Sequence, residues 1–307
     1  MIRHALLAIA ATLPQASTPV EIVGEAALFA PGIASTRFSE IRLTISPDGR
    51  TALWFSRNRP GGAGGYDIWL SRRTSAGWGA ATPAPFNSPA RDFDPAYSPD
   101  GYFVYFSSDR PGGLGGDDIY RVAETAAGFG MPEHLDPAIN SAANEWAPMP
   151  SPDRAHLLFS SDRPGGAGRQ DLYAARRSGT RYLPAAPLPG AVNTAADEFD
   201  ASYLADSRTV IFARAPDLTT DRIDLFAADA PGGQYEAGTR LPPSVNSGDA
   251  YGPMLDWSHP GSLTFSAKLS GAEGMDLYTI RYRQIQAGTG AQGGPLSSTV
   301  LPSGSAR

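Results

Sequence analysis

The stretch Tyr102–Tyr120, YFVYFSSDRPGGLGGDDIY, reads as an apolar run, a glycine-rich loop and a second run opening Asp-Ile-Tyr. The same unit occurs at Thr51–Trp69 (TALWFSRNRPGGAGGYDIW) and Ala155–Tyr173 (AHLLFSSDRPGGAGRQDLY). Looser copies stand at Thr209–Phe226 (TVIFARAPDLTTDRIDLF) and Ser262–Tyr278 (SLTFSAKLSGAEGMDLY). The aspartates that open the second run, Asp67, Asp118, Asp171, Asp224 and Asp276, are spaced by 51, 53, 53 and 52 residues. A second marker precedes each copy: SPDG at Ser46–Gly49 and Ser98–Gly101, SPDR at Ser151–Arg154, LADS at Leu204–Ser207 and SHPG at Ser258–Gly261. Two markers holding one period near fifty residues identify a repeat architecture.

The unit itself is β-type. Pro presets the first corner of a tight turn, Asp tolerates the second, and Gly takes the left-handed conformation that closes it. The flanking runs are aromatic and β-branched, as in Phe103–Phe106 and Val210–Phe212. No long run has helical apolar spacing. Short strands repeated five times predict an all-β chain forming a single β-propeller of five four-stranded blades. After the fifth copy no linker supplies an outer strand, whereas Glu21–Ala30 (EIVGEAALFA) is a strand without a repeat of its own. Pairing this N-terminal strand with the last blade closes the ring and covers two sheet edges. A sixth blade needs a repeat that the sequence does not contain.

The remaining segments follow from this frame. Residues 1–17 read as a signal peptide, with Arg3 ahead of the apolar run Ala5–Leu13 and a cleavage region at Pro14–Ser17. The apolar run is too short to span a bilayer, so the mature chain is read as having no transmembrane segment. Residues 18–283 are assigned to the propeller. Residues 284–307, rich in Gly, Ser, Ala and Gln, are read as a disordered tail. The 34 glycines and 28 prolines fall at periodic turns, which favours a folded chain over a disordered one. Net charge is −6 with no basic stripe, so nucleic acid is not an expected partner. The chain has no cysteine, and therefore no disulfide.

The pattern Ser-Pro-Asp-Gly, Phe-Ser-Ser-Asp-Arg-Pro-Gly-Gly, Asp-Ile-Tyr resembles the TolB-type, WD-like β-propeller repeat. The resemblance covers about residues 20–283, is close in the first three copies, and weakens in the last two, where the Arg-Pro-Gly-Gly loop is missing. It implies a periplasmic, generally non-catalytic propeller that acts as a protein-binding module of the cell envelope; with the leader reading, the expectation is a periplasmic or secreted platform that binds an envelope protein or a small ligand. TolB proteins also carry an N-terminal α/β domain that has no counterpart here, so their partners are not carried over.

Aligning the repeats places Glu40, Asp92, Glu145 and Glu198 at one position near the channel mouth, with Ala250 in the fifth. The loops on that face bring Arg59, Arg110 and Arg163, replaced by Pro216 and Leu269 in the last two blades. Two readings compete. Each acid pairs with its arginine or caps a glycine-rich loop, or the acids and arginines form a charged collar that binds a ligand. Such a collar could hold Ca²⁺ through carboxylate oxygens, although no oxygen-rich loop motif accompanies it. The five marker aspartates are read as structural, locking their hairpins through backbone N–H groups. No cofactor is expected: the glycine-rich loops lack the Gly-Lys-Ser/Thr ending of a phosphate loop. The four histidines make no zinc motif, and no Gly-x-Ser-x-Gly elbow occurs. The alternative function is a glycan-acting enzyme using two of Asp92, Asp94, Glu145, Glu198 and Asp200. Phe93, Trp146, Phe199 and Tyr251 share one register; they are read as packing between blades, and a sugar-stacking role requires them to face the channel.

Overall fold

The computed structural model describes residues 18–268 and 273–285; the signal peptide assigned to 1–17 and most of the assigned tail lie outside them. The described chain folds into five antiparallel sheets arranged as a five-bladed β-propeller. The inner strands are Glu40–Ile45, Asp92–Tyr97, Glu145–Pro150, Asp197–Tyr203 and Ala250–Leu255. The second strands are Thr51–Arg57, Phe103–Ser108, His156–Ser161, Val210–Ala215 and Ser262–Ala267, and the third begin at Tyr66, Asp118, Asp171, Asp224 and Asp276. Outer strands are two-residue fragments such as Thr82–Pro83 and Thr239–Arg240, except in the last blade. There the N-terminal strand Val20–Leu28 pairs with Asp276–Gln284, from Val20 opposite Gln284 to Leu28 opposite Tyr278. The expected closure is therefore present, and the last strand takes in Gln284, a residue the sequence reading gave to the tail. Ile285 N–H also bonds the Pro19 carbonyl, at 2.9 Å.

Each repeated residue has a packing task. The aromatic two residues after the marker aspartate sits opposite an aromatic of the second strand: Trp54 and Trp69, Phe106 and Tyr120, Phe159 and Tyr173, Phe212 and Phe226, Phe265 and Tyr278. In the last four blades these rings stack with centroids 5.5–6.0 Å apart. Such cross-strand pairs are the unit of sheet stabilisation. The Asn that ends each linker is a staple. Asn140 Oδ1 accepts from Ile119 N–H at 2.7 Å and its Nδ2 donates to Ile119 O at 3.0 Å; Asn87, Asn193 and Asn246 do the same to Ile68, Leu172 and Leu225. In the last blade Ser35, from the N-terminal segment, takes this place against Leu277. The chain's beginning thus supplies the fifth blade with an outer strand and a linker.

The turn markers hold with two adjustments: in the fourth blade, where Leu204 stands in the serine's place, the Asp206 carboxylate accepts from Thr209 N–H instead, and the fifth blade differs as well. In SPDG, Ser46 Oγ donates to Asp48 and accepts from Thr51 N–H. In the fifth blade this turn is opened by Asp256, two residues before the SHPG marker: its N–H bonds Ser262 O, and its carboxylate accepts from Ser258 and His259 N–H. The Asp side chain there replaces the serine hydroxyl.

Candidate functional site

The predicted acidic ring lies between blades. Glu40, Asp92, Glu145 and Glu198 are fully buried, and each bonds the Ser or Thr four residues before it. Each also meets an arginine: Arg59 at 3.7 Å, Arg110 at 2.5 Å, Arg163 at 2.9 Å and Arg214 at 2.7 Å. The arginines are clamped further. Arg110 lies over Phe106 and Tyr120, Arg163 over Phe159 and Tyr173, Arg214 over Phe212 and Phe226, and Arg59 over Trp69. The four acids therefore sit in separate seams, each with its own cation, and do not converge on a shared Ca²⁺ position. Among the described residues no three His, Cys, Asp or Glu side chains cluster as metal ligands. Arg214 was missed because it lies within the second strand Val210–Ala215, two residues before the loop position that aligns with the other arginines. Burial raises the Glu198 and Glu40 carboxyls, the latter to about 7, against the hydrogen bonds of Thr194 and Thr36 and the charges of Arg214 and Arg59.

The marker aspartates do not all act alike. Asp67 accepts from Ala63 and Gly64 N–H, Asp118 from Leu114 N–H and Asp171 from Gly168 N–H. Asp224 instead pairs with Arg222 and Arg240. The loop before Asp276 includes residues outside the described ones.

What faces the axis comes two residues after the ring acids. Every inner strand breaks register there, at Ile41/Thr44, Phe93/Ala96, Trp146/Met149, Phe199/Ser202 and Tyr251/Met254. The bulged residues, Arg42, Asp94, Ala147, Asp200 and Gly252, all have positive φ, from 48° to 61°. A bulge re-aims the side chains around it. Arg42, fully buried, reaches across the axis to the carbonyls of Ala147 and Pro148 at 3.0 and 3.1 Å, and lies 3.9 Å from Asp200. A Cβ on Gly252 would stand 3.2 Å from the Arg42 backbone, so the fifth blade needs glycine here. Arg42 thus plugs the channel.

Above this plug, on the loop face, is a well of about 390 Å³. Its wall includes Phe93, Trp146, Phe199 and Tyr251, with Asp94, Asp200, Asp249 and Arg57. The shared-register aromatics therefore both pack and face the well: Phe93 meets Phe55 and Tyr66 edge-on at 5.8 and 5.7 Å. Trp146 Nε1 donates to Asp117 at 2.8 Å, which fixes its ring. Asp94 is only 5% exposed and has no hydrogen-bond or ion-pair partner among the described residues. Burial, then the charge of Asp200, raises its carboxyl well above the usual range against Arg42 and Arg57. Asp200 is raised by burial, opposed by Arg42. Of the five acids considered for glycan chemistry, the structure brings Asp94 and Asp200 into the well and keeps Asp92, Glu145 and Glu198 out of it.

No family model matches the chain, and no curated protein matches it. Solved structures do. TolB from Acinetobacter baumannii superposes with a TM-score of 0.50 at 14% identity, over 81% of this chain and 56% of that one. This chain accordingly spans just over half the length of that protein. The native arabinanase of Bacillus subtilis gives a TM-score of 0.50 at 12% identity, over 80% of this chain and 95% of that one. The likeness is one of fold. A propeller of this kind serves unrelated chemistries, so the site must carry the functional argument. Among the described residues no helix is long and apolar enough to cross a membrane.

Proposed function

We propose that this protein is a non-catalytic binding platform of the cell envelope, periplasmic or secreted, that grips a protein or small ligand in the aromatic well on the loop face. One observation carries the reading: a concave site walled by aromatic rings holds a buried carboxyl group, Asp94, with no hydrogen-bond partner of its own. Concave, mostly apolar sites with a few convergent polar groups are the usual form of a ligand pocket. The loop arginines do not carry the reading, because each already holds a buried acid and an aromatic ring. The envelope location rests on the leader reading of residues 1–17. The test is recovery of partners from an extract of the native cell. The wild-type chain is expected to retain a partner that Phe199→Ala and Tyr251→Ala lose; equal recovery by all three would remove the well from consideration.

A glycan-acting enzyme is the second reading, and one feature favours it. Asp94 and Asp200 share the well with ring faces suited to stacking on sugars, and Asp94 holds its proton more tightly than an ordinary aspartate. A proton-holding acid beside a second carboxylate is what glycoside hydrolysis requires. Turnover of any oligosaccharide in a glycan screen, abolished by Asp94→Asn, would select this reading over the first.

A further inference from the structure

Resting on the binding-platform reading, we propose that the well recognises an organic cation: a guanidinium or alkylammonium head carried on an apolar stem. Of the side chains lining the well, three are carboxylates, Asp94, Asp200 and Asp249, and one is a guanidinium, Arg57. Arg57 is exposed and stacks on Tyr66 at 5.0 Å, and Asp249 is exposed and accepts from Ile223 N–H, so both stand at the rim and the buried acids of the well are Asp94 and Asp200. Arg42 lies beneath, with its hydrogen bonds directed to the Ala147 and Pro148 carbonyls and its nearest acid Asp200, not Asp94. Asp94 therefore presents to the cavity a buried carboxyl with no hydrogen-bond partner, only partly offset by the charges of Arg42 and Arg57, and an arriving cation would stabilise its ionised form.

The walls decide what kind of cation fits. Phe93, Trp146, Phe199 and Tyr251 offer ring surfaces, whose negative faces attract a cation while their area takes up a hydrocarbon stem. A bare metal ion wants several oxygen ligands, and no three metal-ligating side chains cluster among the described residues. The volume, about 390 Å³, suits a single side chain or a small amine. Asp94 also sits at φ 54°, a conformation that Asp and Asn tolerate better than other side chains.

The charge has a consequence for pH. Asp94 is raised by burial and by the neighbouring Asp200, with Arg42 and Arg57 opposing and the more distant Asp117 adding to the rise; Tyr251, itself raised by burial, lines the same wall. Without a bound cation the well thus favours the protonated acid, and a bound cation would displace that proton. Affinity should rise with pH and fall as the solution is acidified.

The experiment titrates the full chain with agmatine, with the peptide acetyl-Gly-Arg-Gly-amide, and with the same peptide carrying uncharged citrulline for arginine. Intrinsic tryptophan fluorescence, to which Trp146 in the wall of the well contributes among five tryptophans, and calorimetry read binding at mildly acidic and mildly basic pH. Binding of the arginine peptide at least about tenfold tighter than the citrulline peptide, or about 1.4 kcal/mol, is expected. Asp94→Asn should reduce that affinity about tenfold and flatten its pH dependence while the unfolding temperature holds or rises. Binding by agmatine as well supports a free cation as the source; binding by the peptide alone supports a basic side chain of a partner protein. Equal binding of both peptides, an unaffected Asp94→Asn variant, or no binding of any probe at millimolar concentration overturns the proposal. The partner-recovery experiment with Phe199→Ala and Tyr251→Ala is independent of these probes, and it alone tests whether the well is a binding site at all.

Discussion

Replacing Arg163 with Ala separates a structural clamp from a ligand-facing collar. In the folded chain Arg163 Nη2 donates to Glu145 at 2.9 Å and to the Ile139 carbonyl at 2.6 Å, and the guanidinium lies over Phe159 and Tyr173. Glu145 is fully buried, so losing the arginine leaves its charge without a cation. Removing one member of a buried pair costs about 3–5 kcal/mol. Three hydrogen bonds survive, from Ser141 N–H, Ser141 Oγ and Ser161 Oγ, which puts the electrostatic loss near the lower end. The lost stacking adds about 1 kcal/mol, for a total near 4 kcal/mol. Urea unfolding followed by tryptophan fluorescence reads this as a lower midpoint with unchanged slope. Thermal melting should fall by roughly 10 °C for a domain of this size. In a double-mutant cycle, Arg163→Ala with Glu145→Ala should lose at least about 1.5 kcal/mol less than the two single changes together. A stability within about 0.5 kcal/mol of wild type, coupled with loss of a binding partner, would refute the clamp and restore the collar.

Other expectations follow from the same contacts. Asn140→Ala strips hydrogen bonds from the buried Ile119 N–H and the carbonyls of Ile119 and Leu135, and should cost about 2 kcal/mol in urea unfolding. Gly166→Ala should destabilise by about 2 kcal/mol or more, because the added Cβ would fall 1.9 Å from the Asp171 carboxylate; Gly261→Ala, with open space around it, should stay within about 0.5 kcal/mol. The Glu40 carboxyl, lifted by burial to about 7 from an ordinary 4.5, favours its protonated form in the folded chain. Its contribution is therefore fully present below about 4.5 and is lost as pH rises through about 7, by about 3 kcal/mol. Glu40→Gln should flatten that window, and an equally steep loss in the variant would assign the pH dependence to another group.

The propeller and its closure were legible because they rest on local chemistry repeated at a fixed interval. In the Arg-Pro-Gly-Gly loops the first Gly is left-handed, with φ of 96–100° at Gly61, Gly112 and Gly165. The second must lack a side chain because Gly62, Gly113 and Gly166 lie against the marker aspartates. The third strand's Asp-Ile-aromatic opening then places its ring on the second strand's ring. These constraints act within one hairpin, so they are written within one repeat, and five copies fix the blade count. A leftover strand at one end and a missing linker at the other fixed the closure by the same logic.

The site was only partly legible, since it depends on where strands break register and on what crosses the axis. Alignment found the position shared by Glu40, Asp92, Glu145 and Glu198, and it carried the shared-register aromatics and the acids Asp94 and Asp200. It could not show that the bulge turns the first four carboxylates into the seams and brings Asp94 to the well. Nor could repetition reveal Arg42 or Gly252, because each differs from its four counterparts and gains meaning only from residues 50 or more positions away. By itself the sequence determined a fivefold ring closed by its leading strand, through turns and pairs that operate between near neighbours. Which acids are satisfied and which is left facing the cavity was decided by the tertiary structure, because burial and charge compensation are properties of five blades brought together around one axis.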